Sequence, residues 1–238
     1  MPLGTAIVTL TESDAVCGDV VALRFSRPAG YAFVPGQAMA IELQTRSGTQ
    51  SHFFSHSDAP GDETTMVLTR ATGSDYKDAL VALKPGATVS MTGPYGRLTV
   101  SEGVSRAAFL VGGVGITPAA SIVRDAVQRR SGLECLVLYG NASEACIPLR
   151  ADFAAYEKAA PNIHCVHVLS DPGPDWTGER GYIDAGTIRR HCDPSDGWHF
   201  FLSGAPGMVT AMRAVLAGLN VPTASISWEE FAGYGDRA

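Results

Sequence analysis

Short runs of apolar or alternating residues, separated by glycine and proline, cover the first hundred positions of the chain. Alternation with a period of two is typical of strands that bury one face, and the Pro-Gly pairs between the runs are typical of turns. We predict strands at Thr5–Leu10, Val20–Phe25, Ala38–Leu43, Thr65–Thr69 and Thr88–Met91. Apolar residues three and four positions apart predict one helix, Asp75–Leu83. Regularly spaced short strands with such turns favour a small β-barrel or β-sandwich.

From Arg106 onward, continuous apolar runs alternate with helical patterns. The predicted strands are Ala107–Val111, Leu133–Tyr139, Ile163–Leu169, His199–Leu202 and Ala224–Ser227. The predicted helices between them are Thr117–Arg130, Arg150–Ala160, Asp184–His191 and Pro206–Leu219. Strands that alternate with helices form parallel sheets, so we expect an α/β domain with a parallel five-stranded sheet. The change of pattern predicts two domains, residues 1–102 and residues 103–238.

Charge and apolar content exclude several classes of partner. Lys and Arg number 18 against 24 Asp and Glu, and the resulting net charge of −6 argues against nucleic acid and anionic membranes as partners. The longest apolar stretch, Ala107–Ile116, is too short to span a bilayer. The first ten residues lack the basic region of a secretory signal, so we expect a cytoplasmic protein.

The chain has 5 cysteines, an odd number, and no two of them form a CxxC pair. We therefore predict no disulfide framework, no cysteine zinc site and no iron–sulfur cluster. His52 and His56 are four residues apart, but no third ligand accompanies them, so no metal site is expected.

Two glycine-containing loops follow predicted strands at the edge where parallel sheets bind ligands. The first, Gly112–Pro118, combines glycines that admit a close ligand with a predicted helix N-cap at Thr117. A helix start suits a phosphate, although a tight strand–helix turn explains the loop equally well. Ser203–Met208 repeats the pattern. The GxGxxG dinucleotide fingerprint is not met, because Pro118 replaces its third glycine and Asn141 rather than an acidic residue ends the second strand.

The barrel half carries a second group of candidate residues. An aromatic side chain at Phe54 would cover a planar ring, and the Ser55 hydroxyl would bond to the edge of that ring. Ser74 and Lys77 lie at the start of the predicted helix and could hold phosphate. The alternative interpretation is that the aromatic residues belong to an ordinary strand core.

Taken in order, these motifs resemble those of the ferredoxin–NADP reductase-like superfamily, in particular compact bacterial reductases without a fused iron–sulfur domain. The residues that carry the resemblance are His52-Phe53-Phe54-Ser55, Ser74-Asp75-Tyr76-Lys77, Gly93-Pro94-Tyr95-Gly96, Gly112–Pro118, Tyr139-Gly140-Asn141, Ser203–Met208 and Glu229-Glu230-Phe231, followed by Gly233-Tyr234. The resemblance implies a Greek-key, FAD-binding β-barrel domain followed by an NAD(P)-binding α/β domain. It also implies hydride transfer from NADH or NADPH to FAD, and electron transfer onward to a separate ferredoxin, haem protein or oxygenase.

The resemblance further implies a role for individual residues. Ser55 at the flavin edge, Glu230 beside the flavin ring and Ser203 beside the nicotinamide would be catalytic. FAD would be held by His52, Phe53, Phe54, Ser55, Ser74, Lys77 and Phe231. The nicotinamide nucleotide would be held by Gly113, Gly115, Thr117, Asn141, Gly204, Pro206 and Met208.

Three residues fit this scheme poorly. His52 replaces an arginine that would grip phosphate, Ser203 replaces a cysteine, and Asp58 would place a repelling carboxylate near the FAD phosphates. They leave open a non-redox member of the fold, with a structural flavin or an empty cleft, acting as a regulatory subunit or in non-redox small-molecule chemistry. A partner-binding module is a third hypothesis, although no acidic run marks a docking face. Residues 141–149 contain no arginine, which favours NADH over NADPH.

Overall fold

The structure is a computed structural model that describes residues 3–231, so the Gly233-Tyr234 part of the last motif lies outside the described residues. The first half of the chain contains β1 (Leu3–Cys17), β2 (Val20–Ser26), β3 (Ala38–Thr45), β4 (Gly48–Ser55), β5 (Thr64–Arg70), α1 (Asp75–Val81) and β6 (Thr88–Tyr95). The second half contains β7 (Arg106–Gly112), α2 (Ile116–Gln128), β8 (Glu134–Asn141), α3 (Arg150–Ala159), β9 (Ile163–Leu169), β10 (Glu179–Arg180), α4 (Ala185–His191), β11 (His199–Gly204), α5 (Pro206–Gly218) and β12 (Ile226–Glu230).

The first sheet is antiparallel, with the strand order β4-β3-β6-β1-β2-β5. The long strand β1 pairs with β6 through its first half and with β2 through its second, and bulges along it let the sheet curl until the edge strands β4 and β5 touch. This non-sequential order confirms the predicted Greek-key barrel. The predicted strands lack β4, because its first six residues are exposed or half-buried and show no apolar alternation.

The second sheet is parallel throughout, with the order β10-β9-β8-β7-β11-β12. It confirms the predicted α/β domain and adds a sixth strand, the two-residue β10, which is too short to carry a sequence pattern. Strands β8, β9 and β10 follow one another on one side of β7, and β11 and β12 lie on its other side. The reversal between β7 and β11 is the topological switch point, where such sheets bind ligands.

Both faces of the parallel sheet are buried, which explains the continuous apolar runs. Phe109 and Phe201 pack in the core on one face, and Ala108 and Phe200 pack in the core on the other. Because successive residues of a strand point to opposite faces, a strand covered on both sides needs apolar residues at every position.

Polar contacts join the two domains on one side of the molecule. The Ser121 hydroxyl donates to the main-chain carbonyl of Asp58 at 2.6 Å. The Asp62 carboxylate pairs with Arg124 at 2.7 Å and accepts a hydrogen bond from Gln128 at 2.7 Å. Helix α2 is therefore anchored on the loop between β4 and β5. The proposed boundary after residue 102 stays a prediction.

A second contact between the domains is an interdomain apolar cluster formed by Val20, Ala22, Met66, Leu68 and Val114. Cys17 and Cys146 pack against it and are joined by a disulfide bond. The expectation that the cysteines form no disulfide is therefore wrong for this pair. The two cysteines are 129 residues apart, and only the docking of the domains brings them together.

No helix within residues 3–231 is long and apolar enough to cross a membrane.

Candidate functional site

A cleft of about 940 Å³ opens between the two domains at the carboxyl ends of the parallel strands. The α/β domain lines it with both glycine loops, Asn141 and Tyr182, and the barrel domain lines it with Asp19 and Arg70. Its position is the switch point of the sheet, and its volume lies in the range of small-molecule and cofactor sites. The cleft is therefore the candidate site for an extended ligand such as a dinucleotide.

The first glycine loop is packed tightly against the second. A Cβ on Gly115 would lie 2.3 Å from the Ser203 carbonyl oxygen, and a Cβ on Gly112 would lie 2.5 Å from the Met208 sulfur. Tight packing thus accounts for these two glycines, as the alternative interpretation of the loop proposed. It also leaves the main chain of the loop exposed to the cleft, where Gly113 has no atom within 4 Å of its Cβ position.

Thr117 does not cap helix α2. The helix begins at Ile116 after a short 3₁₀ turn, and its N-cap position is Gly115, without a side-chain hydrogen bond. The Thr117 hydroxyl donates instead to the Val114 carbonyl at 3.1 Å and is buried. The predicted N-cap is therefore wrong. Binding of the nucleotide by Thr117 stays a prediction, and because the hydroxyl is engaged, the main-chain N–H is the group that would make the contact.

The second loop is held by Ser203, which is buried and whose hydroxyl donates to the Gly115 carbonyl at 2.6 Å. This hydrogen bond joins the loops that follow β7 and β11. Gly204 and Met208 line the cleft as expected, whereas Pro206 opens helix α5 and is not among the lining residues. The proposed catalytic role of Ser203 stays a prediction, because its hydroxyl is engaged within the protein.

Asn141 ends β8 and lines the cleft, and its side-chain nitrogen is buried without a hydrogen bond of good geometry. Burial raises the pKa of the Tyr139 hydroxyl, and an interaction with the Asn141 side chain lowers that pKa by a smaller amount. A buried amide N–H₂ that lacks a well-aligned acceptor would be stabilised by an acceptor on a bound ligand.

The aromatic residues of β4 divide between two environments. Phe54 is buried, and Ser55, at the end of the strand, is buried beside it. Phe53 is 68% exposed and packs edge-on against Tyr95, so it is not part of the core. His52 is exposed and stacks on Tyr76 at 4.0 Å. Burial, and then the charge of Lys77, lower the pKa of His52, so it does not supply the fixed charge of an arginine.

Lys77 reaches from α1 across the edge strands. Its ammonium donates to the Thr69 hydroxyl of β5 at 2.5 Å and lies 4.4 Å from the ring centre of Phe54 on β4. Burial lowers the pKa of Lys77 to about 8. We call Phe54, Thr69 and Lys77 the Lys77 cluster. A largely buried ammonium of this kind gains stability from an incoming anion, so the cluster suits a phosphate beside a planar ring.

Ser74 contributes to this cluster only indirectly. Its hydroxyl accepts the Lys77 main-chain N–H at 3.3 Å and so forms the N-cap of α1. That capping bond orients the first turn of the helix, from which Lys77 projects. A direct contact between Ser74 and phosphate stays a prediction.

Asp58 does not face a phosphate site. Its carboxylate is buried, forms an ion pair with Arg27, and accepts hydrogen bonds from His56 Nδ1 at 3.0 Å and the Met66 main-chain N–H at 2.9 Å. His56 Nε2 is 2.9 Å from the Tyr31 hydroxyl. The interpretation of Asp58 as a repelling charge is therefore wrong, because its charge is compensated inside the barrel domain. We call Arg27, Tyr31, His56 and Asp58 the buried polar network.

Of the two glutamates at the end of the chain, Glu229 and not the predicted catalytic residue Glu230 is paired with Ser203. Strand β12 extends to Glu230, beyond the predicted end at Ser227, and pairs Glu229 with Ser203 and Glu230 with Gly204. Paired residues of adjacent parallel strands point to the same face, so Glu229 shares the face of Ser203. Burial raises the pKa of Glu229, whereas Glu230 is exposed. Sequence spacing alone could not distinguish the two.

Phe231 lies where the motif suggests. It lines the cleft, packs against the interdomain apolar cluster, and its main-chain N–H donates to the Gly204 carbonyl at 2.9 Å. The last described residue thus closes the side of the cleft that faces the barrel domain. Its contact with a flavin stays a prediction.

Comparisons with known proteins agree with this geometry. The family model of the oxidoreductase NAD-binding domain matches residues 109–214. The chain is 29% identical over 222 residues to ferredoxin–NADP reductase B of Sorangium cellulosum (strain So ce56), covering 88% of this chain and 90% of that protein. It is 26% identical over 225 residues to NADH-cytochrome b5 reductase 1 of Aspergillus terreus (strain NIH 2624 / FGSC A1156), covering 88% and 76%.

The fold is also found among solved structures. A crystal structure of a ferredoxin NADP+ reductase from Neisseria gonorrhoeae with bound FAD and NADP has a TM-score of 0.83 to this chain, with 16% sequence identity and coverage of 95% of this chain and 98% of that one. At this identity the likeness concerns the fold alone. Together, the family model over residues 109–214 and the relatives along most of the chain support the resemblance to the ferredoxin–NADP reductase-like superfamily of FAD- and NAD(P)-binding oxidoreductases, and the solved structure has the same fold.

Proposed function

We propose that this protein is an NADH-dependent FAD reductase that passes electrons from the nucleotide to a separate ferredoxin, haem protein or oxygenase. The observation that carries the proposal is the interdomain cleft, in which two interlocked glycine loops meet at the switch point of a parallel sheet. One relative reported above is named a ferredoxin–NADP reductase and the other an NADH-cytochrome b5 reductase, and the chain covers most of the length of both. The cytoplasmic location stays a prediction.

The α/β domain supports the nucleotide half of the proposal. The open main chain at Gly113 would accept the pyrophosphate, and the Asn141 amide, which lacks a well-aligned acceptor within the protein, would donate to the ligand. Tyr182 lines the outer part of the cleft and is 82% exposed, so its ring is free to stack on an adenine.

The charges around the cleft favour NADH over NADPH. Among the described residues that line the cleft, Arg70 is the one cation, and it is paired with Asp19 at 2.9 Å. Recognition of a 2′-phosphate requires a cation near the end of the second strand of the sheet, and Arg150, the first arginine after β8, lies over the Trp176 ring instead.

The barrel domain supports the FAD half. Phe54 would lie against the ring system, Ser55 would lie at its edge, and the Lys77 ammonium would bind the pyrophosphate, in agreement with the donor chemistry of the Lys77 cluster. FAD held by these residues would supply hydride acceptance and single-electron release, which is chemistry that no side chain provides. The protein residues bind and orient the two ligands and exclude water from the cleft.

The experiment that tests the proposal is anaerobic addition of NADH, and separately NADPH, to the flavin-loaded protein. The absorbance of the oxidised flavin at about 450 nm should fall, and NADH should be effective at a lower concentration than NADPH. A band that persists with both nucleotides would contradict the reductase function.

Two observations favour the second candidate, a non-redox member of the fold. The Ser203 hydroxyl is turned into the loop contact with Gly115, and His52 supplies no fixed charge for phosphate. In that case the protein would bind flavin and nucleotide without electron transfer between them. The same titration separates the two candidates, because a non-redox member stays yellow.

The lowered pKa of Lys77 predicts a pH-dependent flavin affinity. Folding lowers this pKa to about 8, so the free protein gains stability as the pH rises from there toward the ordinary lysine value. Phosphate binding requires the charged form of Lys77, so the affinity for phosphate falls as the pH rises. We expect the flavin dissociation constant to rise about tenfold between pH 7 and pH 9, measured by fluorescence titration.

The matched control is Lys77→Arg, because an arginine stays charged over this range. It should flatten the pH profile even if its absolute affinity differs. An equal slope in the arginine variant would show that another group causes the dependence.

A further inference from the structure

We propose that the Cys17–Cys146 bond is a reversible redox clasp across the nucleotide cleft, opened by a dithiol, that controls the mobility of residues 142–149. Closing the clasp would hold this segment in place for the nucleotide and opening it would weaken nucleotide binding. The effect on nucleotide binding rests on the proposed function, whereas the reversible bond and its effect on residues 142–149 do not.

The position of the bond supports the proposal. Cys17 is the last residue of β1, at the turn into β2, and Cys146 lies in the segment between β8 and α3. Cys146 lines the cleft, as do Gly18 and Asp19, which follow Cys17. The bond therefore joins one wall of the cleft to the opposite wall.

The bond is accessible to a reductant. Both cysteines are half-buried, and Gly18 beside them is exposed. Gly18 has a φ of +54° and a Cβ there would lie 3.6 Å from the Cys146 sulfur, so this close approach favours glycine. A thiolate can reach the bond from the solvent side of the turn, which is a requirement for exchange.

Other contacts join the two domains besides this bond. The ion pair between Asp62 and Arg124 and the hydrogen bond from Ser121 to Asp58 anchor helix α2 on the loop between β4 and β5. The interdomain apolar cluster, against which both cysteines pack, adds a further contact. We therefore expect that opening the bond releases a loop while these contacts maintain the fold.

The remaining cysteines are not suited to the same chemistry. Cys135 and Cys192 are buried, and burial raises the thiol pKa to about 12 and about 11, respectively. Burial also raises the pKa of Cys165, which is partly exposed. In the cytoplasmic location predicted from the sequence, disulfides are uncommon and are usually redox-sensing or catalytic, so that location would favour a regulatory role for this pair.

The exchange balances as two successive steps. A dithiol attacks one sulfur through its thiolate, forms a mixed disulfide, and releases the other cysteine, which takes up a proton. The second thiol of the reductant then attacks the mixed disulfide and releases the second cysteine. The dithiol is oxidised to a disulfide, and the pair gains two electrons and two protons.

The first measurement counts thiols in the holoprotein. After air oxidation, alkylation under denaturing conditions should label three cysteines, and after dithiothreitol treatment it should label all 5. Return of the three-thiol form on removal of the reductant shows reversibility. Labelling of all cysteines in the oxidised protein would overturn the clasp.

The second measurement is hydrogen exchange, which requires no nucleotide. Amides in residues 142–149 should exchange about tenfold faster after reduction, and those of β9 should not change. Cys17→Ser should behave like the reduced protein under both conditions. Cys165→Ser, which removes a cysteine outside the pair, should retain the full response; if Cys17→Ser does not fold, reduction of the unmodified protein supplies the same comparison.

Nucleotide binding is then compared in the two states. The dissociation constant for NAD⁺, measured by calorimetry, should rise about fivefold on reduction, because an ordered loop binds with less loss of entropy. Equal exchange rates in both states would overturn the clasp. If neither state binds NAD⁺, the proposed function fails, and the exchange data still decide on the clasp.

Discussion

Asp58→Ala is expected to destabilise the protein by about 3–5 kcal/mol and to lower the melting temperature by about 6–20 °C. The substitution leaves the Arg27 guanidinium, whose side chain is only 11% exposed, without its carboxylate. It also removes the acceptor of the His56 Nδ1–H and of the Met66 main-chain N–H. Each of these groups is buried, so water cannot replace the lost partner.

Arg46→Ala is the matched control, because it removes an ion pair with Asp75 in which the arginine side chain is 80% exposed. A pair of that kind contributes at most about 1 kcal/mol. Urea denaturation of both variants gives the comparison. Equal losses would mean that the buried polar network is not a source of stability.

Asp58→Asn adds a test of charge alone. The amide keeps the shape and one acceptor oxygen, so it should lose less stability than the alanine variant. Flavin occupancy should also fall more in Asp58→Ala than in Asp58→Asn, since His56 directly follows Ser55 at the end of β4. Flavin occupancy measured at a temperature well below both melting points separates this effect from unfolding.

Gly115→Ala should weaken nucleotide binding at least about tenfold, which is the second large effect that we expect. The new Cβ would lie 2.3 Å from the Ser203 carbonyl oxygen and 2.7 Å from the Gly204 Cα, and both are main-chain atoms that cannot rotate away. The glycine loops must therefore separate, which also breaks the hydrogen bond between Ser203 and the Gly115 carbonyl. Overpacking of this kind typically costs about 1–3 kcal/mol of stability.

Gly115 is a clean site for this test, because its φ of −63° is the ordinary helical value and alanine adds no backbone strain there. Gly218→Ala is the control: it lies at the end of α5, and a Cβ there meets no atom within 4 Å. That variant should gain up to about 1 kcal/mol, since alanine favours helix. If both variants bind NAD⁺ as the unmodified protein does, the interlocking of the loops has no role in the cleft.

Much of the architecture is predictable from the sequence because its signals are local. The alternation in β2 and β3 and the continuous apolar runs in β7 and β8 each report how many faces of a strand are buried. The glycine loops were identifiable for the same reason, since a turn and a helix start are properties of a few adjacent residues. Strands without such a pattern, β4 at an edge and the short β10, escaped prediction.

The sequence predicted which segments of the chain line the site, but it did not predict which contacts their side chains make. Gly113, Gly115, Asn141, Gly204 and Met208 all line one cleft, as their motifs suggested. The hydroxyls of Ser74, Thr117 and Ser203 instead bond to neighbouring main-chain groups. A motif specifies which residues come near a site, whereas hydrogen bonding within the fold decides which of their atoms remain available to a ligand.

The sequence by itself determined most strands and helices of the two domains and their order along the chain, because hydrophobic periodicity and turn chemistry act over short distances. The resemblance to the superfamily rested on the order of the motifs. Only the tertiary structure decided that Cys17 meets Cys146, that Arg27 compensates Asp58, and that Glu229 rather than Glu230 stands beside Ser203. These pairings join residues 129, 31 and 26 positions apart. Contacts at such separations depend on how the sheets curl and dock, and no local pattern records them.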